Sequence, residues 1–312
     1  MSIRPLFLLS LPRTGSTLLQ RLLSAHPKIT SAAEPWILLP LLHGMRTRSV
    51  ATEYDQHVLV QAIDEFCLEL PNGQLDLEEA IREFAVGLYT RAADQSAVWF
   101  LDKTPAYCLI ATDLLRVFPD ARFLVLWRDP IAQVASVTKR YGGESDRWAI
   151  RTQDFLLHKG LDCLVRLVQA GDERVYALKY EDLVENPERV LSRVFLHLGL
   201  DYEQSVLDAF KHVRFKGTVG DPTGIKEYSE VSAGSLEKWR RPMASWLRKR
   251  WISNYLNWIG PERLAVMGYD HDELCRKLAT VRIEYARTCR DVVPMLKESA
   301  ALRLKHLVLK HR

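Results

Sequence analysis

Apolar positions along this chain fall into two spacings. Short continuous apolar runs stand at Leu6–Leu11, Val98–Leu101, Ala121–Trp127 and Val175–Lys179, the pattern of strands buried on both faces of a parallel sheet. Between these runs apolar residues recur every three or four positions, as helices require. Leu18, Leu19, Leu22 and Leu23 form one stripe. Leu77, Ile81, Phe84, Ala85 and Leu88 form a second, with Asp76 as its N-cap. Ile110, Leu114, Leu115 and Phe118 form a third, opening near Pro105. Asp129-Pro130 and Asn186-Pro187 each set a capping residue before a first-turn proline, and Gly199 ends the second of these helices. Strands alternating with helices predict an α/β fold, a doubly wound parallel sheet flanked by helices.

Two stretches break the alternation. Residues 38–97 read as helices with no convincing strand, and are expected to form an inserted helical lid. Residues 213–235 are rich in Gly, Ser, Thr and Pro without periodicity, and a loop of that length in a compact domain is usually functional or mobile. Residues 240–312 are expected to be a helical extension of a single domain spanning 1–312. There Leu296, Ala300, Leu304 and Leu307 share one face of a basic helix, an apolar stripe that would pack on its own domain or make a homo-oligomer.

Composition narrows the class. The chain has 312 residues, 47% hydrophobic and 26% charged, with a net charge of +4, which excludes a disordered or fibrous protein. Its five scattered cysteines, Cys67, Cys108, Cys163, Cys275 and Cys289, form no C-x-x-C pair. A disulfide framework and a zinc site are thereby disfavoured. The apolar Pro5–Leu11 run is too short to span a bilayer, so a soluble cytoplasmic protein is expected. Charge is unevenly spread. From Pro40 to Val98 ten acids face four bases, net −6, leaving +10 elsewhere; His271–Arg312 alone carries +5. A basic body attracts polyanions, from nucleotides to lipid headgroups.

The sharpest chemical feature is Leu8-Leu9-Ser10-Leu11-Pro12-Arg13-Thr14-Gly15-Ser16-Thr17-Leu18-Leu19. A buried strand enters a tight loop and then a helix whose first turn holds Ser16 and Thr17. First-turn amides and the helix dipole make an anion site, and Gly15 admits close approach of the backbone. Arg13, Thr14, Ser16 and Thr17 add donors suited to phosphate oxygens. The nucleoside triphosphate P-loop requires a Lys before its Ser or Thr, and none precedes Ser16. No convincing strand-end Asp stands ready for Mg²⁺, so a metal-assisted kinase is disfavoured and no metal is expected.

The strand–P-R-T-G-S-T-L-L–helix sequence with Ala25-His26-Pro27 resembles the 5′-phosphosulfate loop of sulfotransferases that use 3′-phosphoadenosine 5′-phosphosulfate (PAPS), most of all the bacterial and tyrosylprotein branch. Phe123–Pro130 (FLVLWRDP), with Ser136 eight residues after Arg128, resembles the family's 3′-phosphate motif. Arg140 lies one helical turn beyond Ser136. Leu101-Asp102-Lys103-Thr104-Pro105 resembles the segment whose Lys stabilises the transferring sulfuryl group. Lys179-Tyr180-Glu181-Asp182-Leu183 resembles the segment whose Tyr contacts adenosine. Arg214-Phe215-Lys216-Gly217 with Gly220-Asp221 resembles a split form of the loop that covers the 3′-phosphate. Ser235–Trp239, including Lys238, resembles the last nucleotide-side motif.

The resemblance covers Met1 to about Trp239. It implies a P-loop-like fold, PAPS as co-substrate, 3′,5′-ADP as product and a hydroxyl-bearing acceptor: a glycan, lipid, small molecule or tyrosine. Glu34, in Ala32-Ala33-Glu34-Pro35, stands where the tyrosylprotein branch has its catalytic Glu. His26, His43 and His57 are nearby in sequence, and the base is expected to be Glu34, with Lys103 and Arg13 stabilising charge. Three other classes compete. A nucleic-acid-binding module fits the basic C-terminus but lacks aromatic or zinc signatures. A membrane-surface protein would use the basic amphipathic terminal helix. A P-loop kinase lacks its Lys.

Overall fold

The computed structural model describes residues 3–48, 50–143, 146–216, 231–232, 234 and 236–310, with side chains as far as Ala301. Five strands form one parallel sheet: β1 (Arg4–Ser10), β2 (Ile29–Ser31), β3 (Trp99–Asp102), β4 (Arg122–Trp127) and β5 (Val175–Lys179), in the spatial order β2-β3-β1-β4-β5. The four apolar runs are all strands. β2 is additional: three residues at the sheet edge, too short to give a hydrophobic period.

Helices α1 (Ser16–Ser24), α2 (Gln56–Leu68), α3 (Gln74–Ala92), α4 (Ala111–Val117), α5 (Pro130–Tyr141), α6 (Leu161–Gln169), α7 (Tyr180–Glu185), α8 (Pro187–Leu198) and α9 (Val206–Ala209) follow in chain order. Three more follow: α10 (Trp246–Val266, broken at Gly260-Pro261), α11 (His271–Ala279) and α12 (Tyr285–Lys310). Asp129 caps α5 as its sequence implies, its carboxylate accepting from the amides of Ile131 and Ala132. Gly199 closes α8 in the left-handed region at φ 67°.

The pleat of β1 divides the core. Leu6 and Leu8 face Leu18, Leu19 and Leu22 of α1 and Leu191, Val194 and Phe195 of α8. Phe7 and Leu9 face the other layer, built from α3, α4, α5, α6 and α10. Adjacent strands β1 and β4 therefore send their following helices, α1 and α5, to opposite faces. That is a topological switch point, where the carboxyl ends of an open parallel sheet part into a crevice.

Between β2 and β3 the described residues contain α2, α3 and a helical turn at Pro40–Gly44, and no strand. Helix α3 begins earlier than its stripe suggested. Gly73 is the N-cap and Asp76, inside the first turn, reaches back to accept from the amide and side chain of Asn72. Its buried face is Glu78, Ile81, Ala85 and Tyr89, so Phe84 and Leu88 are turned to solvent. The shift follows from polar partners: Glu78 accepts from Arg46, and the Tyr89 hydroxyl donates to Asp102.

The C-terminal helices are fastened by charge. Arg248 of α10 pairs with Asp291 of α12 at 2.7 Å, both almost fully buried. Glu298 accepts from the amides of Ile150 and Arg151. None of the helices among the described residues is long and apolar enough to cross a membrane.

Candidate active site

Three neighbouring strands bring their carboxyl ends together. β1 runs into the Leu11–Gly15 loop, β4 into Arg128, and β3 into Lys103. Two residues of the loop take left-handed backbone: Arg13 at φ 65° and Gly15 at φ 96°. A Cβ on Gly15 would stand 2.4 Å from the ring of Tyr180, so glycine is required both by conformation and by the neighbour. The first intrahelical hydrogen bonds of α1 come from Leu18 and Leu19 to Gly15 O. The amides of Gly15, Ser16 and Thr17 precede that ladder and suit an anion. Thr14 spends its hydroxyl on the loop itself, donating to Leu11 O at 3.0 Å.

The second motif closes on the first. Arg128 donates through Nη1 to Arg13 O at 2.9 Å, and its guanidinium lies 4.6 Å over the ring of Tyr180. Arg13 donates through Nε to Ser136 Oγ at 3.4 Å. Arg13, Gly15, Arg128, Ser136 and Tyr180 therefore converge from β1, β4, α5 and α7. Arg128 is 8% exposed, and its Nε is buried without a hydrogen-bond partner among the described residues. A buried guanidinium N–H left without a partner beside this loop calls for an anionic acceptor. This donor set fits the phosphates of a 3′-phosphorylated nucleotide.

Sequence reasoning did not find the supports of this site. Gln133, on the same face of α5 as Ser136, donates to Pro12 O at 2.8 Å and pins the loop. Glu181 accepts from the amide of Asp129 and from the Tyr269 hydroxyl, fixing the end of β4. Lys277 pairs with Asp129 from α11. The spacing of Gln133 to Ser136 was the one available signal; the others join residues more than 50 positions apart.

Glu34 and Lys103 meet. Lys103 Nζ lies 2.7 Å from Glu34 Oε1, the two side chains 4% and 9% exposed. Trp36 Nε1 donates to the other oxygen, Oε2, at 3.2 Å. Glu34 follows edge strand β2, whose end is tied to α1: Gln20 donates to Ser31 Oγ and Ala32 O. Beneath Lys103, fully buried Asp102 accepts from the hydroxyls of Tyr89 at 2.6 Å and Thr104 at 3.0 Å. Burial pushes its carboxyl up to about 6, against the lowering pull of those hydroxyls.

Three of the remaining expected cations are at the surface. Arg140 is exposed in the last turn of α5, 5.9 Å over the ring of Tyr141. Lys216 and Lys238 are exposed. Gly217, and most of the 213–235 loop expected to cover the nucleotide, lie outside the described residues. His26 is buried against Phe195 and receives the amide of Lys28. No group of three or more His, Cys, Asp or Glu suited to a metal ion occurs among the described residues.

A glycine-bearing loop between a central parallel strand and a helix, with buried arginine beside it at a switch point, defines a P-loop-like α/β protein. Comparison with known proteins gives the family. The model of the "Sulfotransferase family" matches residues 5–204, and that of a "Sulfotransferase domain" matches residues 164–257. The chain belongs to the sulfotransferase family.

It is 28% identical over 289 residues to nodulation protein NoeE of Sinorhizobium fredii, covering 85% of this chain and 65% of that protein. It is 24% identical over 285 residues to protein-tyrosine sulfotransferase 2 of Gallus gallus, covering 85% and 69%. The chain thus spans about two thirds of the length of these relatives. The sulfotransferase domain of the Synechococcus PCC 7002 olefin synthase has the same fold, with a TM-score of 0.52, 24% identity, and coverage of 77% of this chain and 88% of that one.

Proposed function

We propose that the protein moves a sulfuryl group from PAPS to a hydroxyl acceptor, releasing 3′,5′-ADP. The observation that carries this reading is the buried Glu34–Lys103 pair, a carboxylate and an ammonium 2.7 Å apart at the carboxyl edge that also bears the anion loop. The bound donor supplies an electrophilic sulfur on a phosphate leaving group: an acceptor oxygen–sulfur bond forms as the sulfur–phosphate oxygen bond breaks.

The chain's own residues do the rest. Glu34 takes the proton of the acceptor hydroxyl. Lys103 and Arg13 offset negative charge on the sulfuryl and bridging oxygens, and pre-placed cations of this kind need no metal beside them. The amides of Gly15, Ser16 and Thr17, with the hydroxyls of Ser16 and Thr17, hold the 5′-phosphate side. Arg128 and Ser136 hold the 3′-phosphate, with Arg140 and Lys216 as further cations of the rim. Tyr180 bears on the adenosine, and Lys238 is assigned to the nucleotide side.

The acceptor we propose is a neutral hydroxyl compound, a glycan, lipid or small molecule. The ten acids between Pro40 and Val98 support this, because a segment of net −6 repels acidic peptides. Residues 38–97 would then act as the helical lid that selects it. Five free cysteines support a reducing, cytoplasmic setting. The test is transfer of ³⁵S from labelled PAPS to a panel of 4-nitrophenol, maltotriose, octyl glucoside and an acidic tyrosine peptide. Label in one of the neutral compounds is expected. No label in any of the four would overturn sulfuryl transfer, and label in the peptide alone would overturn the acceptor class.

A further inference from the structure

Both oxygens of the Glu34 carboxylate are engaged, by two different kinds of group. Oε1 meets the Lys103 ammonium and Oε2 meets the indole N–H of Trp36. The ammonium is a mobile point charge on a flexible stem, whereas the indole is a planar donor on a backbone of unusual shape. Trp36 stands at φ 59°, in the left-handed region, with 40% of its surface exposed. A bulky residue persists there only where its neighbours fix it. The amide of Trp36 donates to Thr104 Oγ1 at 3.4 Å, and the amide of Leu38 donates to the Tyr107 hydroxyl at 3.0 Å. Thr104 in turn donates to buried Asp102. The Trp36–Leu38 backbone is thereby bolted to the same turn that follows Lys103.

We propose that Trp36 is a positioning residue that holds Glu34 in place when Lys103 turns to an anionic donor. This rests on the sulfuryl-transfer reading above. With Lys103 alone as partner, a carboxylate whose ammonium departs swings on its own side-chain torsions. The indole N–H keeps Oε2 fixed, so that Oε1, vacated by the ammonium, is the oxygen presented to the acceptor hydroxyl. The left-handed backbone at Trp36 is what turns the indole back over a residue only two positions earlier. Asp102 and Thr104 act through Trp36, behind the site.

The test replaces Trp36 by Phe, which keeps a ring and removes the N–H. With ³⁵S-PAPS and whichever compound of the four-member panel accepts label, Trp36→Phe is expected to lower kcat about tenfold with KM for the acceptor changed less than about twofold. In a Glu34→Gln background the same replacement should add no further loss. An independent readout uses ¹⁵N-labelled indoles. The Trp36 N–H signal, identified by its disappearance in Trp36→Phe, should shift in Glu34→Gln and persist on saturation with 3′,5′-ADP.

A kcat unchanged in Trp36→Phe, beside active wild type and Glu34→Gln slowed at least about 100-fold, overturns the positioning role alone. No transfer by the wild type to any panel member overturns the sulfuryl-transfer reading instead. An indole signal indifferent to Glu34→Gln overturns the contact whatever the kinetics.

Discussion

The guanidinium of Arg128 lies over the ring of Tyr180, 4.6 Å from its centroid, while its Nη1 holds the carbonyl of Arg13. One side chain thus links the end of β4, the start of α7 and the anion loop. The ring supports the charge from one side, and Nε is buried without a hydrogen-bond partner among the described residues. Arg128→Ala is expected to weaken 3′,5′-ADP at least about 30-fold, since truncating a desolvated charge contact costs about 2–5 kcal/mol. The affinity of 5′-AMP should change far less. Calorimetric titration of both nucleotides checks this, and equal weakening would detach Arg128 from the 3′-phosphate.

Gly15 invites a comparison of two glycines. Gly171 has φ 67° with open space around it, whereas Gly15 has φ 96° and Tyr180 at 2.4 Å from a built Cβ. Gly171→Ala should cost about 1 kcal/mol of stability through backbone strain alone. Gly15→Ala should cost about 1–3 kcal/mol more, because the ring must give way. Urea unfolding of both variants measures the difference; equal losses would mean that the ring moves freely.

Glu34→Ala removes the proposed base and leaves the nucleotide crevice untouched. Turnover should fall about 10²–10⁴-fold, the usual worth of general base catalysis, while 3′,5′-ADP affinity stays within about twofold. Single-turnover assays beside equilibrium binding separate the two effects. Turnover at the wild-type rate would remove Glu34 from the chemistry.

Asp102 makes stability depend on pH. Its carboxyl stands at about 6 in the fold against an ordinary 3.8, so the folded protein binds the proton more tightly than the unfolded chain. The stability from this group is full below about pH 3.8 and is lost as pH rises to about 6, with a slope approaching 1.4 kcal/mol per pH unit within that window. Asp102→Asn should abolish the slope. Denaturation of both proteins from pH 4 to 7 tests this; parallel curves would show that Asp102 does not titrate there.

Arg248 and Asp291 are 1% and 2% exposed and tie α10 to α12. Arg248→Ala strands a buried carboxylate and should destabilise by about 3–5 kcal/mol. Arg248→Met with Asp291→Leu should recover most of that loss. A double variant as weak as the single one would show that packing, rather than charge, joins these helices.

Four of the five strands, the Asp129 cap and the Gly199 stop were legible because each rests on local chemistry. Asp76, by contrast, lies inside the first turn of α3, and Asn186 makes no side-chain cap. The run Phe123–Trp127 has no other stable place than a buried strand, and Asp129-Pro130 is a helix start wherever it occurs after one. The strand–loop–helix turn around Gly15 was legible for the same reason. What local chemistry does not carry is the choice between two apolar faces. In α3, Tyr89 was drawn inwards by an acid thirteen residues later and Phe84 was left outside. Glu34 and Lys103 stand 69 positions apart, and only resemblance suggested both. Trp36 lay within two residues of Glu34, yet its contact depends on a left-handed backbone that an indole-bearing residue does not advertise.

The chain between Ser31 and Trp99 leaves the sheet and returns to it beside its own point of departure, since Ile29 pairs with Trp99 and Ser31 with Leu101. An excursion whose ends are neighbours is a module held by its hinges. Lengthening it costs only a slowly growing closure entropy, about 0.6 kcal/mol for each doubling. Glu34 sits just inside one hinge and Lys103 just beyond the other. Apart from Glu34, Trp36 and Tyr89, whose contacts belong to the site, the residues carried between those hinges are therefore free to be exchanged, while the two charges stay at the same separation. Novelty in what the excursion touches and constancy in what its ends do are inherited through different residues.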